Sequence, residues 1–134
     1  MLFWTIGTIV LLASCVFLFL KFTSKQKEAD TFASHVLPHG KLMKLCNRVY
    51  QVEGSLPHGM ALPRNMVVYQ VPRDNQQNDL ILHSVIALND EEMEKLEQLG
   101  HPNIIIVPNK LHTLDTTVYQ RRYPHIKTVR DLFY

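Results

Sequence analysis

The residues best suited to chemistry follow a short apolar run near the C-terminus. His112 and Asp115 carry an imidazole and a carboxylate, which are both common metal ligands, and Asn109 stands close to them. They come after residues 103–107, and α/β proteins tend to place function at the end of such a strand. A catalytic zinc site commonly needs three protein ligands, and Lys110 would repel a cation. His112 and Asp115 are therefore weak candidate metal ligands, and Asn109 is a further site candidate that is equally suited to capping the turn.

No group of residues in the sequence completes a catalytic or cofactor-binding motif. Ser84 lacks the Gly-x-Ser-x-Gly context of a nucleophile elbow. The chain also has no phosphate loop and no dinucleotide-binding fingerprint. The remaining histidines show no recognised ligand spacing and are expected to be surface or hydrogen-bonded side chains: His35, His39, His58, His83, His101 and His125. The sequence therefore predicts no catalytic residue and no cofactor.

Charge and cysteine content exclude two further classes of protein. The formal net charge is only +2, and the basic residues are interleaved with acidic ones. A protein that binds nucleic acid usually concentrates lysine and arginine on one face, so we expect no nucleic-acid partner. Cys15 lies in an apolar run and Cys46 stands alone, which makes a disulfide framework unexpected and fits a reducing compartment.

The pattern of apolar and polar residues in 47–134 predicts an α/β domain that could position these side chains. Strands are expected at 47–52, 65–71 and 79–84, the last two forming a hairpin. Asn89 and Glu92 resemble a capping box at the start of a helix that ends near Gly100. The unbroken apolar run at 103–107 is typical of a strand covered on both faces. A second helix at 114–122 and a last strand at 126–129 complete a mixed sheet.

The N-terminal segment predicts a membrane anchor. Residues 2–20 contain no charged side chain, and as a helix they would extend roughly 28 Å, close to the hydrocarbon thickness of a bilayer. The first 20 residues are thus predicted to form a single transmembrane helix with the lipid bilayer as partner, and 21–46 a juxtamembrane linker. Lys21, Lys25 and Lys27 follow the span, which places the C-terminal domain in the cytosol.

Three other interpretations of this segment stay open. A cleavable signal peptide normally has a shorter apolar core and small residues before the cleavage site, whereas Lys21 and Phe22 stand there. Residues 12–15 look like a bacterial lipoprotein box with Cys15 as the lipidated residue, but the chain stays apolar after it. A buried core helix would show a polar face, and this segment has none.

Three ordered motifs resemble a known family. They are Leu62-Pro63-Arg64-Asn65-Met66 before a strand, residues 79–88 followed by a helix that ends at Leu99-Gly100, and residues 106–112 with Tyr123-Pro124 a helix later. Together they look like the DUF4336 group of uncharacterised proteins, which is related to the metallo-β-lactamase fold. The resemblance covers roughly residues 49–129.

The resemblance implies the first half of an αββα sandwich. In active relatives a His-x-His-x-Asp-His motif follows the strand equivalent to 103–107 and binds one or two metal ions, usually zinc, that activate water. Only His112 and Asp115 have ligand chemistry in the matching stretch, and the later ligands would lie beyond Tyr134. The expected fold class is therefore α/β, with an N-terminal transmembrane helix and a partial metallo-β-lactamase-like mixed sheet with flanking helices.

The predicted function is that of a single-pass membrane-anchored protein with a non-catalytic metallo-β-lactamase-like domain. One alternative is a metal-dependent hydrolase that a partner subunit completes, and another is a truncated, inactive product. Half a sandwich would leave one face of its sheet uncovered, and apolar surface of that kind usually binds a partner. We therefore expect a homo-oligomer or a protein partner.

Overall fold

The computed structural model describes residues 32–57, 62–74 and 77–130. These residues form a six-stranded sheet in which the strand order follows the chain, β1-β2-β3-β4-β5-β6. The strands are β1 (Met43–Cys46), β2 (Val49–Ser55), β3 (Pro63–Val71), β4 (Asp79–His83), β5 (His101–Val107) and β6 (Lys127–Arg130). The described helices are α1 (Asp90–Leu99), α2 (Thr116–Arg122) and a 3-10 turn, Lys110–His112, that precedes α2.

The sheet is mixed because its two halves are connected differently. β1 to β4 pair antiparallel with their neighbours in sequence, and β4-β5 and β5-β6 pair in parallel. Parallel neighbours need a crossover, and α1 and α2 provide the two crossovers here. Crossovers of this kind are almost always right-handed, so two that step in the same direction place both helices on one face of the sheet.

The hydrophobic core lies between that face and the two helices. Met93 and Leu96 of α1 and Val118 and Tyr119 of α2 belong to one buried cluster with alternate residues of the strands. The strand members of the cluster are Val52, Met66, Val68, Leu80, Leu82, Ile105 and Val107. Side chains alternate across a strand, so the residues between these point to the other face.

Helix α1 begins where the sequence predicts. The Asn89 side chain accepts a hydrogen bond from the Glu92 backbone N–H at 3.0 Å, which confirms the predicted cap. Glu92 does not complete a capping box, because its carboxylate binds elsewhere. It accepts a hydrogen bond from the Leu42 N–H at 2.6 Å and pairs with Lys95 at 2.7 Å. Glu92 therefore links the segment before β1 to the start of α1 through a hydrogen bond to the Leu42 backbone.

This link predicts a loss of stability in acid. Desolvation opposes ionisation of the buried Glu92 carboxylate, but the Leu42 N–H and the Lys95 ammonium outweigh it and lower the pKa of Glu92. A carboxylate with a lowered folded-state pKa stabilises the fold above about pH 4.3, its usual pKa, and loses that contribution as the pH falls further. Urea unfolding of the protein at pH 6 and at pH 3 should show a larger loss in the wild type than in Glu92→Gln. Equal losses in both proteins would contradict this role of Glu92.

Two features of the structure differ from the predicted architecture. The sequence predicted five strands after a linker, but Met43–Cys46, inside that linker, pairs with β2 as a sixth strand. All four of its residues are exposed, and in Met-Lys-Leu-Cys the alternation that identifies a strand in sequence breaks at Cys46. Phe32, also in the linker, is 3% exposed and belongs to the core.

The predicted fold class, with its transmembrane helix, is corrected as well. Within 32–57, 62–74 and 77–130, no helix is long and apolar enough to cross a membrane. The described helices have ten and seven residues and carry charged side chains, so they pack on the sheet as amphipathic helices. The predicted span, residues 2–20, lies outside the described residues. Membrane localisation and the cytosolic orientation depend on that segment and stay predictions.

Candidate functional site

The candidate site residues lie at the end of β4 and β5. Ser84 directly follows β4, and residues 108–115 connect β5 to α2. The carboxyl ends of neighbouring parallel strands lie at the same edge of a sheet, so the two connections meet there. The fold thus brings Ser84, which sequence analysis dismissed as a nucleophile, next to the predicted candidates His112 and Asp115.

Ser84 and His112 form a hydrogen-bonded pair. The Ser84 hydroxyl binds Nδ1 of His112, and the Ser84 N–H donates to the Ile106 carbonyl at 3.0 Å. Ser84 has a φ of 57°, in the left-handed region that non-glycine residues seldom adopt. Two hydrogen bonds hold Ser84 in this conformation. One is to the Ile106 carbonyl in β5, and the other is to the His112 imidazole in the 3-10 turn. Ser84 is only 4% exposed, whereas His112 is partly exposed.

Asp115 belongs to a separate, buried ion pair. Its Oδ2 lies 2.8 Å from Nη1 of Arg64 and accepts the Ala87 N–H at 3.0 Å. The Arg64 side chain is 9% exposed and that of Asp115 is 1% exposed. Nε of Arg64 donates to the Ser55 carbonyl at 3.0 Å, and Nη2 is buried without a hydrogen-bond partner in the described part of the chain. The pair joins the start of β3 to the segment after β4 and the start of α2.

The two predicted metal ligands therefore have different partners. His112 binds Ser84, and Asp115 binds Arg64 and Ala87. Among the residues that the structure describes, no group of three or more histidine, cysteine, aspartate or glutamate side chains could hold a metal ion. A positive guanidinium next to the Asp115 carboxylate would also repel a cation.

Asn109 takes the capping role that sequence analysis left open for it. Its Oδ1 accepts a hydrogen bond from the Leu111 N–H at 2.9 Å, at the start of the 3-10 turn. Thr113 closes the same turn by donating its hydroxyl proton to the Lys110 carbonyl at 2.9 Å. These bonds fix the turn that presents His112 to Ser84.

An open cleft lies near this edge but is separate from the cluster. It has a volume of about 670 Å³ and is lined by residues that precede β1 and by the ends of β2 and β3, among them His39, Glu53 and Ser55. His39 is held in one tautomer, since its Nε2 accepts the Asn89 N–H at 2.9 Å and its Nδ1 therefore donates to the Gly40 carbonyl. Ser84, His112 and Asp115 do not line the cleft.

A second candidate region is the sheet face that points away from α1 and α2. We call it the opposite face and define it by six apolar residues on β3 to β6: Val67, Tyr69, Ile81, Ile104, Ile106 and Val129. On β3 to β5 they alternate with core residues, and all six lie in register across the sheet. Tyr69 is 42% exposed and Val129 is 54% exposed, and the other four are partly exposed.

Sequence analysis missed the contacts of the cluster. Ser84 and His112 are 28 residues apart, and Arg64 and Asp115 are 51 apart. No local spacing signals such contacts, because the parallel crossovers bring these residues together only in the folded chain. In the sequence Arg64 stands out only as part of the Leu62-Pro63-Arg64-Asn65-Met66 motif, and none of its neighbours marks it as the partner of Asp115.

No family model matches the chain, and no curated protein matches it.

Proposed function

We propose that this chain carries a non-catalytic domain of the DUF4336 group, related to the metallo-β-lactamases, that works by binding another protein. The observation that supports this most directly is the state of the Asp115 carboxylate. It is buried and bound by Arg64 and by the Ala87 N–H, so it stabilises the fold instead of facing a substrate. The three sequence motifs are the basis for assigning the group.

The His112 environment supports the same proposal. Once Asp115 is engaged, His112 is the remaining member of the predicted ligand pair, and its Nδ1 is taken by the Ser84 hydroxyl. A single imidazole nitrogen is too few ligands for a catalytic metal, which commonly has three from the protein. Binding through apolar surface needs no such site, and the opposite face offers that surface.

The proposal predicts that the purified protein binds no stoichiometric catalytic metal. The full chain, purified in a mild detergent without chelators, should contain less than one equivalent of zinc, iron or manganese. Titration with zinc should then give the same weak affinity for wild type and for His112→Gln. The control is His125→Gln, which changes an exposed histidine in the connection after α2. Inductively coupled plasma mass spectrometry and calorimetry measure the two quantities.

A bound metal that depends on His112 would contradict the proposal. One equivalent of metal that is retained by wild type and by His125→Gln, but lost in His112→Gln, would show that His112 is a ligand. Metal-dependent hydrolysis of an ester or phosphodiester that follows the same pattern would make the protein an enzyme and overturn the proposal.

A further inference from the structure

Strand β1 leaves one edge of the sheet open. It pairs with β2 on one side, and within 32–57, 62–74 and 77–130 no strand pairs with its other side. All four residues of β1 are exposed. An edge strand presents unpaired N–H and C=O groups, and an extended segment of another chain can bind these groups as an added strand. The backbone of β1 is therefore available for strand addition.

The two faces of β1 differ in chemistry. Met43 lies opposite Gln51 and Lys44 lies opposite Tyr50, so these consecutive side chains point to different faces of the sheet. The Lys44 ammonium stands 6.0 Å from the centre of the Tyr50 ring. Met43 is 59% exposed on the other face, and Leu45, at the register shift that follows Lys44, adds a second exposed apolar side chain. An added strand would thus meet a positive charge on one face and an apolar side chain on the other.

The open cleft adjoins the start of β1. Its volume of about 670 Å³ is within the range of ligand pockets, roughly 300–1,000 Å³. Lys41 and Met43 line it from the β1 side, and Leu62, which is 67% exposed, lines it from the start of β3. Because Met43 both begins β1 and lines the cleft, a strand added along β1 would continue into the cleft. Side chains at the end of that strand can be buried there.

The hairpin formed by β1 and β2 is positively charged. Residues 41–55 hold three basic side chains and one acidic one: Lys41, Lys44, Arg48 and Glu53. The three basic residues are exposed. The carboxylate of Glu92, which approaches the segment before β1, is already paired with an ammonium of α1. The edge at β1 therefore attracts negative charge.

This charge opposes a second copy at the edge and favours an acidic strand. Two copies of β1 side by side would bring their lysines together, and lysine on an edge strand is a common means of preventing such pairing. A strand with glutamate or aspartate at alternate positions would instead form opposite-charge pairs with Lys44 across the strands. Its intervening apolar residues would contact Met43 on the other face.

We propose that β1 binds an extended segment of a partner protein in which acidic and apolar residues alternate. The segment adds a seventh strand to the six-stranded sheet and places its end in the cleft. Its acidic residues face Lys44 and its apolar residues face Met43, while backbone hydrogen bonds to the edge supply affinity. This inference rests on the proposed function, the binding of another protein, and names the chemistry of the partner.

Fluorescence anisotropy of a labelled peptide tests the inference. The probe is an octapeptide of alternating valine and glutamate, and the same peptide with lysine in place of glutamate is its charge control. The protein is the full chain in a mild non-ionic detergent. Lys44→Gln and Lys44→Glu change the edge at β1. The matched control is Lys127→Glu, because Lys127 is an exposed lysine on the other edge strand, β6. Thermal melts followed by circular dichroism check folding.

The wild type and Lys127→Glu should bind the glutamate peptide with the same affinity, and neither should bind the lysine peptide. Lys44→Gln should weaken binding about threefold and Lys44→Glu about tenfold, the effects of losing and of reversing one cross-strand charge pair. Binding of the glutamate peptide should also weaken as salt is added, because salt screens exposed charges.

A glutamate peptide that does not bind, or that binds wild type and Lys44→Glu equally, would overturn the inference. So would a change in self-association of Lys44→Glu in sedimentation equilibrium, which would assign the edge to a second copy. Flotation with phosphatidylserine vesicles that Lys44→Glu loses, without peptide binding, would assign it to a lipid surface. The metal measurements do not depend on any of these outcomes, so the proposed lack of catalysis is tested separately.

Discussion

Asp115→Asn should lower the free energy of unfolding by about 3–5 kcal/mol, the cost of breaking a buried ion pair by removing one partner. The amide keeps the size of the side chain but removes the charge that compensates Arg64. The guanidinium is 9% exposed and its Nη2 already lacks a partner among the described residues, so it would stay buried and uncompensated. The variant therefore isolates the charge of Asp115 from its volume.

Chemical denaturation of the variant beside Asp79→Asn measures this effect. Asp79 also pairs with an arginine, but that pair is at the surface, with the Arg73 side chain 47% exposed. Exposed pairs contribute about 0–1 kcal/mol, so the control should change little. Asp115→Asn with the stability of the wild type would contradict a structural role and return Asp115 to the set of site candidates.

A double variant separates the ion pair from the surrounding packing. Arg64→Met and Asp115→Leu should each destabilise the protein. The first leaves the Asp115 carboxylate without its positive partner, and the second leaves the Arg64 guanidinium and the Ala87 N–H without their acceptor. The combination should cost less than the two single changes together, since two apolar side chains leave no uncompensated charge. The difference measures how strongly the two residues depend on each other.

Gly100→Ala should destabilise the protein by about 3 kcal/mol, the upper end of the usual cost of overpacking. Gly100 lies between α1 and β5, and a Cβ there would overlap the carbonyl of Asn78 and press on Leu80. The carbonyl has little freedom to move, because it accepts the His101 N–H at 2.7 Å. Either the connection between α1 and β5 shifts or that hydrogen bond breaks.

Gly40→Ala is the matched control for this prediction. A Cβ at Gly40 would lie 3.6 Å from the Glu53 carbonyl, which is an ordinary contact. Equilibrium unfolding of both variants in urea gives the two free energies. If Gly40→Ala costs as much as Gly100→Ala, the close approach at Asn78 is not the cause.

Together these variants distinguish stability from function at the strand edge. Asp115 and Gly100 are expected to affect folding strongly, whereas His112 is partly exposed and can be changed without emptying the core. A metal or activity effect of His112→Gln therefore reports on chemistry and not on folding. This difference is why the metal experiment uses His112 and not Asp115.

The sequence by itself determined the elements whose signals are local. Asn89 begins α1, because its short polar side chain caps the first turn of the helix. An alternating pattern indicated β2, and a continuous apolar run indicated β5. Each of these signals depends on neighbours within a few residues, so it is readable before the chain folds.

The tertiary structure alone decided which side chains meet. Asp115 has the position of a helix cap before α2, yet its side chain makes no capping bond and binds Arg64 from 51 residues earlier. Ser84 adopts a left-handed conformation because β5 and the 3-10 turn hold it there, and β1 is a strand only because β2 offers an edge. Such contacts form between residues that are distant in sequence, and their energy depends on burial that local sequence does not encode.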